Sequence, residues 1–513
     1  MKFTKYIAAS MIALAGFTSC SESFLDTDYT QYLDQEAAGE AAGKNPDVFL
    51  NGMWSWMVTF NQTNNSAHDD FGYMGSLHAT DMMAEDVVMA SSHWFNYDHQ
   101  LDNHQEPYRR TLCHWLNYYT MIAKSNEIIS LYPNGGETVD QKGLIGQAQA
   151  IRGLAYLHLI QLYQFASNAD GSVNASAPGV PLVLTTADGK TEEELATLLG
   201  RNTVGEVMAQ IELDLTNAVT NLEAGYERPS KNYVDASVAN GILARYYLLA
   251  NKWQDAANAA NKARQGYPIM KADANGLYDG FVTTGNSEWM WGFAHTTETQ
   301  TTYASFFSMI SNIAPGYAGI GYAPRLIDAR LYSQIPDTDA RKAWFNGPEG
   351  AKQATAAASL PYANVKFGVP NDDMVNQVAD GDWTLMRYEE MILVQAEGLA
   401  RSNQEAAAKA LLEGWVKANR DANYTCRASD EAGLVDEIWM QRRIELWGEG
   451  FAWFDLNRLE KPIIRTTSSN WPEAWIVDVD AHHDCRIWTL PDREIQNNDG
   501  IDESDNNPVG DPF

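Results

Sequence analysis

Apolar side chains recur every three or four residues over most of the chain, which is the spacing of one face of an α-helix. The pattern predicts helices over residues 46–60, 108–132, 141–165 and 204–222, and a tandem pair over 236–267. It returns over 384–400 and 438–458. We therefore expect a mainly α fold, with a helical scaffold built chiefly from residues 105–270 and 384–460.

The tandem pair over 236–267 has the residue spacing of a tetratricopeptide repeat. When Leu243 and Ala244 are aligned with the first helix of such a repeat, the positions that usually hold Tyr, Ala, Ala and Pro are occupied by Tyr247, Ala256, Ala263 and Pro268. Small residues at fixed positions let the two helices of a repeat approach closely. The spacing predicts a scaffold of tetratricopeptide-like helical hairpins.

The helical rhythm stops between residues 271 and 383, where aromatic, glycine and proline residues dominate. Such a long interruption predicts a subdomain of loops and short elements built on the scaffold, since unstructured loops of that length are rare. A second stretch, 71–97, also lacks a helical period apart from a possible turn at 81–88. We expect one domain over 46–513, with a C-terminal segment over 461–513 whose acidic end, 501–513, is poorly ordered.

The stretch 438–458 combines charges of both signs with large apolar side chains along one helix edge. Its charged members include Arg442, Arg443, Glu445 and Glu449. Burying such charges is costly unless each one finds a partner. The segment 384–400 offers complementary charges at Arg387, Glu389, Glu390 and Glu397. The pattern predicts two helices that are clamped together by a buried ionic network.

The same stretch resembles the late signature of the SusD/RagB family of outer-membrane lipoproteins. The matching positions are Arg442, Arg443, Glu445, Leu446, Glu449, Gly450, Phe454, Asp455, Leu456 and Arg458. Two positions depart from the pattern, because Gln441 stands where the family often has Glu and Ala452 where it often has Arg. The first departure puts one salt bridge in question. Further segments between residues 115 and 497 are similar to the family in the same order.

The resemblance implies a function as well as a fold. Family members capture nutrients, chiefly glycans, at the cell surface and sit as a lid on a SusC-like TonB-dependent transporter. Their ligand site lies on aromatic loops from the N-terminal part and from the central insertion. The resemblance also leaves a peptide ligand open, since RagB-like members serve peptides.

The N-terminus has the order of an export signal. Lys2 and Lys5 precede an apolar run over 6–17, which is shorter than the roughly 20 residues that span a bilayer. Thr18, Ser19 and Cys20 then resemble a bacterial lipobox. We expect residues 1–19 to be removed, Cys20 to be the lipid anchor, and 20–45 to form a tether at the outer membrane, facing the exterior. A soluble secreted protein is the alternative.

Charge and cysteine content narrow the partners. The formal net charge of −31 disfavours nucleic acid and anionic lipid as partners, and it favours neutral ligands. Beyond Cys20, the cysteines are Cys113, Cys426 and Cys485, which have no metal-binding spacing and can form at most one disulfide. We expect no cofactor.

No sequence motif of a nucleophile, a metallohydrolase or a phosphate-binding loop is present. The loop 478–484 holds aspartates and histidines that could ligate a cation, although its alternation is typical of a polar loop. Acidic residues in an aromatic context occur at Asp69, Asp70, Asp81, Glu85 and Asp86. A helical glycoside hydrolase therefore stays open as an alternative to a binding protein that is not an enzyme.

Aromatic side chains in the predicted loops are the candidate ligand contacts. Flat rings cover the apolar faces of sugars, while neighbouring polar groups reach the hydroxyls. The candidate ligand-binding residues are Tyr73, Trp94, Asn96, Tyr97, Trp289, Trp291, Tyr317 and Tyr322. The competing interpretation is that such rings are core, and that Trp289 and Trp291 face the scaffold from one strand.

Overall fold

The computed structural model describes residues 47–186, 199–268, 279–295, 299, 301–368 and 381–513. The expectations for residues 1–45, including the lipid anchor at Cys20, lie outside the described residues. Within the described part, no helix has both the length and the apolar character needed to cross a membrane.

The chain is mainly helical, as the sequence predicts. In the N-terminal half the helices are α1 (Asp47–Val58), α2 (Tyr73–Met83), α3 (Asn96–Gln100), α4 (Arg109–Ser130), α5 (Val139–Leu162), α6 (Val204–Leu222), α7 (Ala236–Leu249) and α8 (Trp253–Ala263). In the C-terminal half they are α9 (Phe306–Ile310), α10 (Ala329–Gln334), α11 (Tyr388–Ala400), α12 (Glu405–Asn419), α13 (Glu431–Glu445), α14 (Ala452–Arg458) and α15 (Asp492–Asn497).

The strands are short and pair across the molecule. They are β1 (Val87–Met89), β2 (Trp289–Phe293), β3 (Arg325–Ile327), β4 (Trp383–Arg387), β5 (Ile463–Ile464) and β6 (Asp478–Val479). Antiparallel pairs join β1 to β3, β2 to β4 and β5 to β6. The first two pairs fasten the central insertion to the segments on either side of it.

The scaffold helices stack in chain order. Each helix from α4 to α8 packs on its neighbours in sequence, and α8 then packs on α11, which in turn packs on α12 and α13. Gly398 makes the α8–α11 contact close, because a Cβ there would lie 2.5 Å from the carbonyl oxygen of Trp253. Ala256 and Ala263 of α8 are fully buried, as expected of the small positions in a helical hairpin.

The predicted ionic network is confirmed and is buried. The carboxylate of Glu445 accepts hydrogen bonds from Arg387 at 2.8 Å, Arg420 at 2.9 Å and Arg341 at 3.2 Å. Burial opposes ionisation, yet these three guanidinium groups together hold the pKa of Glu445 well below its usual range. Gln441, where the family often has Glu, accepts from Arg341 at 2.6 Å. A hydrogen bond from the charged guanidinium to a neutral amide oxygen thus stands where the departure put a salt bridge in question.

Two predictions from the pattern were wrong. Residues 73–83 form a helix, α2, that is buried on every side, so no polar face marks it in the sequence. The stretch 438–458 is two helices, since Gly448 and Gly450 adopt the left-handed backbone at φ 76° and 89°. In the acidic end, the side chain of Asn507 donates to the carbonyls of Tyr163 and Trp488.

The break between α13 and α14 is tied to a buried carboxyl group, Asp81. Its oxygens accept from the backbone N–H groups of Gly450 at 2.8 Å and Ala452 at 3.1 Å. Burial is the main reason that its pKa rises from 3.8 to about 7, and no cation among the described residues is paired with it to offset this rise. The folded protein therefore holds this proton more tightly than the unfolded chain does.

We expect the stability contributed by Asp81 to fall as the pH rises from 3.8 to about 7 and to be level above that window. Asp81→Asn removes the titration, so the free energy of unfolding of the wild type should decline relative to the variant across the window. Urea denaturation at a series of pH values measures this difference. If the free energies of unfolding of the wild type and Asp81→Asn differed by the same amount at every pH, the prediction would be contradicted.

The three cysteines of the described chain, Cys113, Cys426 and Cys485, are buried and unpaired with one another. Burial raises the pKa of the Cys485 thiol to about 12, which keeps it protonated and unreactive. The cysteines therefore act as core side chains.

Candidate functional site

An open cavity of about 600 Å³ lies between the loop before α3, the start of α4 and the central insertion. We call it the aromatic cavity. Its lining includes Asp69, His93, Trp94, Asn96, Tyr97, Asp98, Asn103, Tyr108, Arg109, Arg110 and Tyr317. Four of the sequence-predicted site residues, Trp94, Asn96, Tyr97 and Tyr317, are therefore brought together. Its volume is within the range of ligand-binding pockets.

Trp94, at the end of a loop, and Tyr97, in the first turn of α3, are positioned by Phe95, the N-cap residue of that helix. Its backbone is left-handed at φ 75°, which is an unusual conformation for a bulky residue. Its ring is buried against His78, with a centroid distance of 4.7 Å, and the guanidinium of Arg110 lies 5.1 Å from the ring centroid. With Phe95 anchored inside, its neighbours are left to line the cavity. Tyr97 is 58% exposed.

Tyr317 reaches the cavity from a tight loop of the central insertion. Gly316, at φ 143°, lies so close to Ser308 that a Cβ would be 2.4 Å from the Ser308 Cα. The hydroxyl of Tyr317 is 2.8 Å from the Nδ1 atom of His68, whose ring is stacked on Trp94 with a centroid distance of 5.7 Å. His68 thus connects the two aromatic walls, and nothing in the sequence pattern pointed to it.

Tyr322 lies beside the cavity and is 61% exposed. Its ring is parallel to that of His93 at a centroid distance of 5.9 Å, and His93 contacts Tyr317 at 4.3 Å. Tyr303 is 45% exposed, and its ring centroid lies 5.1 Å from that of Tyr317. The ring surface therefore continues beyond the cavity itself.

Three of the predicted ligand residues lie in the core, so the structure corrects the sequence interpretation. Trp289 and Trp291 are fully buried in β2, which is covered on both faces. Tyr73 is buried in α2, where its hydroxyl is 2.8 Å from Nε2 of His158 beside a separate cavity of about 60 Å³. A ring without exposed surface cannot stack on a ligand. The competing core interpretation is therefore correct for these residues.

The floor of the cavity carries two arginines and two carboxylates, of which the sequence analysis singled out only Asp69. Nη2 of Arg110 donates to Asp69 at 2.6 Å and to Asp98 at 2.8 Å, and Arg109 also pairs with Asp69. Burial tends to raise the pKa of Asp69, but Arg110 and Arg109 together lower it below its usual value. For Asp98 burial is the larger effect, so its pKa is raised in spite of Arg110. The available signal was the Arg-Arg pair at the start of the helix predicted over 108–132.

The other polar groups considered from the sequence are engaged in local structure. Asp478 accepts from the backbone of Arg465 and from the hydroxyl of Thr466, and His482 pairs with Glu460. Asp86 is paired with Arg443. Among the described residues, no group of three His, Cys, Asp or Glu side chains is arranged to hold a metal ion.

The architecture and the cavity define a class of protein. A stack of helical hairpins carries an aromatic, open-sided cavity on its loops, which is the arrangement of a ligand-binding protein. A family described as "Starch-binding associating with outer membrane" matches residues 46–248, and the SusD family matches residues 334–508. The chain therefore belongs to the SusD/RagB family. A search of curated proteins found no match.

Solved structures agree with this assignment. A SusD-like carbohydrate binding protein from Bacteroides vulgatus is 25% identical, with a TM-score of 0.73 over 92% of this chain and 98% of that one. A SusD superfamily protein from Bacteroides thetaiotaomicron is 18% identical, with a TM-score of 0.72 over 91% and 99% of the two chains. The second similarity supports the fold alone.

Proposed function

We propose that this protein captures oligo- or polysaccharide in the aromatic cavity. The observation that carries the proposal is the convergence of Trp94, Tyr97 and Tyr317 on one open cavity from two separate parts of the chain. Rings of this kind cover the apolar faces of sugar units, and Asn96 and Asn103 lie beside them to bond hydroxyl groups. The relative from Bacteroides vulgatus that is described as carbohydrate binding supports the same ligand class.

Binding without catalysis fits the carboxylates of the cavity. A glycosidase needs two carboxyl groups that flank the scissile bond, one of them free to donate a proton. Here Asp69 and Asp98 are not opposed across the cavity, because both accept from one atom, Nη2 of Arg110. Asp98 has no exposed surface on its side chain. Incubation with an oligosaccharide that binds is therefore expected to return the sugar intact, and release of shorter products would contradict the proposal.

The cell-surface role is the finer part of the proposal. The protein would be anchored in the outer membrane through lipid on Cys20 and would deliver its ligand to a SusC-like TonB-dependent transporter. The family resemblance and the outer-membrane description of the matching family support this role. Co-purification of the full chain with a TonB-dependent transporter from membranes tests it, and a Cys20→Ala variant that stays membrane-bound would contradict the anchor.

Trp94→Ala is expected to lower glycan affinity about tenfold to a hundredfold, since one ring–sugar stack contributes on the order of 1.5–3 kcal/mol when the ring is buried by the ligand. Affinity electrophoresis against a polysaccharide panel finds a ligand, and titration calorimetry then measures the loss. Leu213→Ala is the control, because Leu213 is 53% exposed on α6 and does not line the cavity.

Two outcomes would argue against the sugar proposal. If the wild type and Trp94→Ala had equal affinity for every glycan that binds, the binding site would lie outside the aromatic cavity. Binding to a panel of peptides, with no retardation by any polysaccharide, would favour the RagB-like alternative instead.

A further inference from the structure

We propose that the aromatic cavity recognises an acidic group on its glycan, a carboxylate or a sulfate ester, through Arg109, Arg110 and the N-terminus of α4. The inference rests on the proposed function and names the chemical class of the sugar. It follows from three guanidinium nitrogen atoms at the floor of the cavity that have no hydrogen-bond acceptor among the described residues.

The guanidinium groups at the cavity floor have donors left over. Arg110 is 3% exposed, and its Nη2 atom serves both Asp69 and Asp98. Within the described part of the chain, its Nε and Nη1 atoms have no hydrogen-bond partner, and neither has Nη1 of Arg109. Unpaired buried donors cost free energy, so an acceptor brought by a ligand would be stabilised there. An anionic acceptor can also pair with a guanidinium through two parallel N–H···O bonds, which adds both energy and geometric specificity.

The N-terminus of α4, the helix that carries the two arginines, also favours a negatively charged group. Tyr108, Arg109 and Arg110 are the N-cap and first two residues of α4, a helix of 22 residues, and all three line the cavity. No side chain caps this end, and its first turn holds no acidic residue. The positive end of the helix dipole and its free N–H groups favour an anion at this position.

The net charge of the protein does not oppose this preference at contact distance. Asp69 and Asp98 balance the formal charges of Arg109 and Arg110, so the floor is close to neutral before the helix end is counted. The formal net charge of −31 belongs to the whole chain, and solvent-exposed charges more than about 8 Å from the site are largely screened at physiological salt. The nearest donors, not the total charge, therefore decide which group is accepted.

The test compares sugars that differ only in charge. Binding of oligogalacturonate is measured by titration calorimetry against its methyl ester, which keeps the rings and loses the charge, and dextran sulfate is compared with dextran. We expect at least one charged member to bind about tenfold or more tightly than its uncharged partner. The pair that shows the difference tells a carboxylate from a sulfate.

Arg109→Gln is the variant to use, because Arg109 is 24% exposed and its loss leaves the buried Arg110 pairs in place. It should lower the ratio of charged-sugar to uncharged-sugar affinity several-fold, and part of the preference should remain because Arg110 and the N-terminus of α4 are still present. Arg401→Gln is the matched control. Its side chain is 22% exposed, is paired with one carboxylate, Glu397, and lies outside the cavity.

The outcomes separate this inference from the proposed function. Equal binding of charged and uncharged sugars, or an equal loss for both in Arg109→Gln, would overturn the acidic-group inference while sugar binding by Trp94 stood. An affinity ratio of charged to uncharged sugar that is the same in Arg109→Gln as in the wild type would also overturn it. If no glycan of any charge binds, the proposed function and the inference fall together.

Discussion

Glu445→Gln is expected to lower the free energy of unfolding by about 3–5 kcal/mol, which is the effect of breaking a buried ion pair by removing one partner. The substitution keeps the shape of the side chain and removes the charge that Arg341, Arg387 and Arg420 share. All three guanidinium groups are buried, with side chains no more than 1% exposed, so water cannot replace the lost carboxylate.

Urea denaturation followed by tryptophan fluorescence measures this loss. Asp337→Asn is the control, since Asp337 pairs with Lys342 at a side chain that is 93% exposed. Such a surface pair contributes little, and its removal should leave the denaturation midpoint unchanged. A loss below about 1 kcal/mol in Glu445→Gln would mean that the network is not a main source of stability.

Trp289→Ala is expected to destabilise the fold by about 3–5 kcal/mol, the range for replacing a buried large aromatic residue. Trp289 has no exposed surface, and its ring centroid lies 6.4 Å from that of Phe281 inside the central insertion. The cavity left behind cannot be filled without moving β2, which is held by β4. The folded fraction should nevertheless bind glycan with the affinity of the wild type.

Trp94→Ala is the matched comparison, because we expect it to lower glycan affinity and to leave stability nearly unchanged. Its effect should be on affinity, with little change in stability, because Trp94 is only partly buried and lines the open cavity. Measuring both variants for both properties separates the two roles. If Trp289→Ala lost glycan affinity and kept the stability of the wild type, Trp289 would be a ligand-binding residue and not a core residue, which would contradict the prediction.

Where apolar spacing is strong and one-sided, the sequence was sufficient to predict helices. The helix predicted over 204–222 is α6, and the tandem pair over 236–267 is α7 and α8. The charged strip was equally informative, because a cluster of alternating charges on an apolar edge has few stable solutions other than mutual burial. Helix α2 was missed because full burial removes the polar face that sequence patterns depend on.

The residues of the candidate site could likewise be predicted only in part from the sequence. Sequence identified Trp94, Asn96, Tyr97 and Tyr317 as ring-rich loop positions, and the fold brings them to one cavity. It could not separate them from Trp289 and Trp291, since an aromatic side chain in a short strand looks the same whether the strand is covered on one face or on two. It also did not point to Arg109 and Arg110, which look like any basic pair at a helix start.

What the sequence by itself determined is the family, the helical scaffold and the need for a buried ionic network, because these follow from periodicity and from the cost of burying charge. Only the tertiary structure decided which rings face solvent and which donors are left without acceptors. Both depend on contacts between residues far apart in the chain, such as His68 with Tyr317 and Arg110 with Asp69. No local pattern encodes such distances.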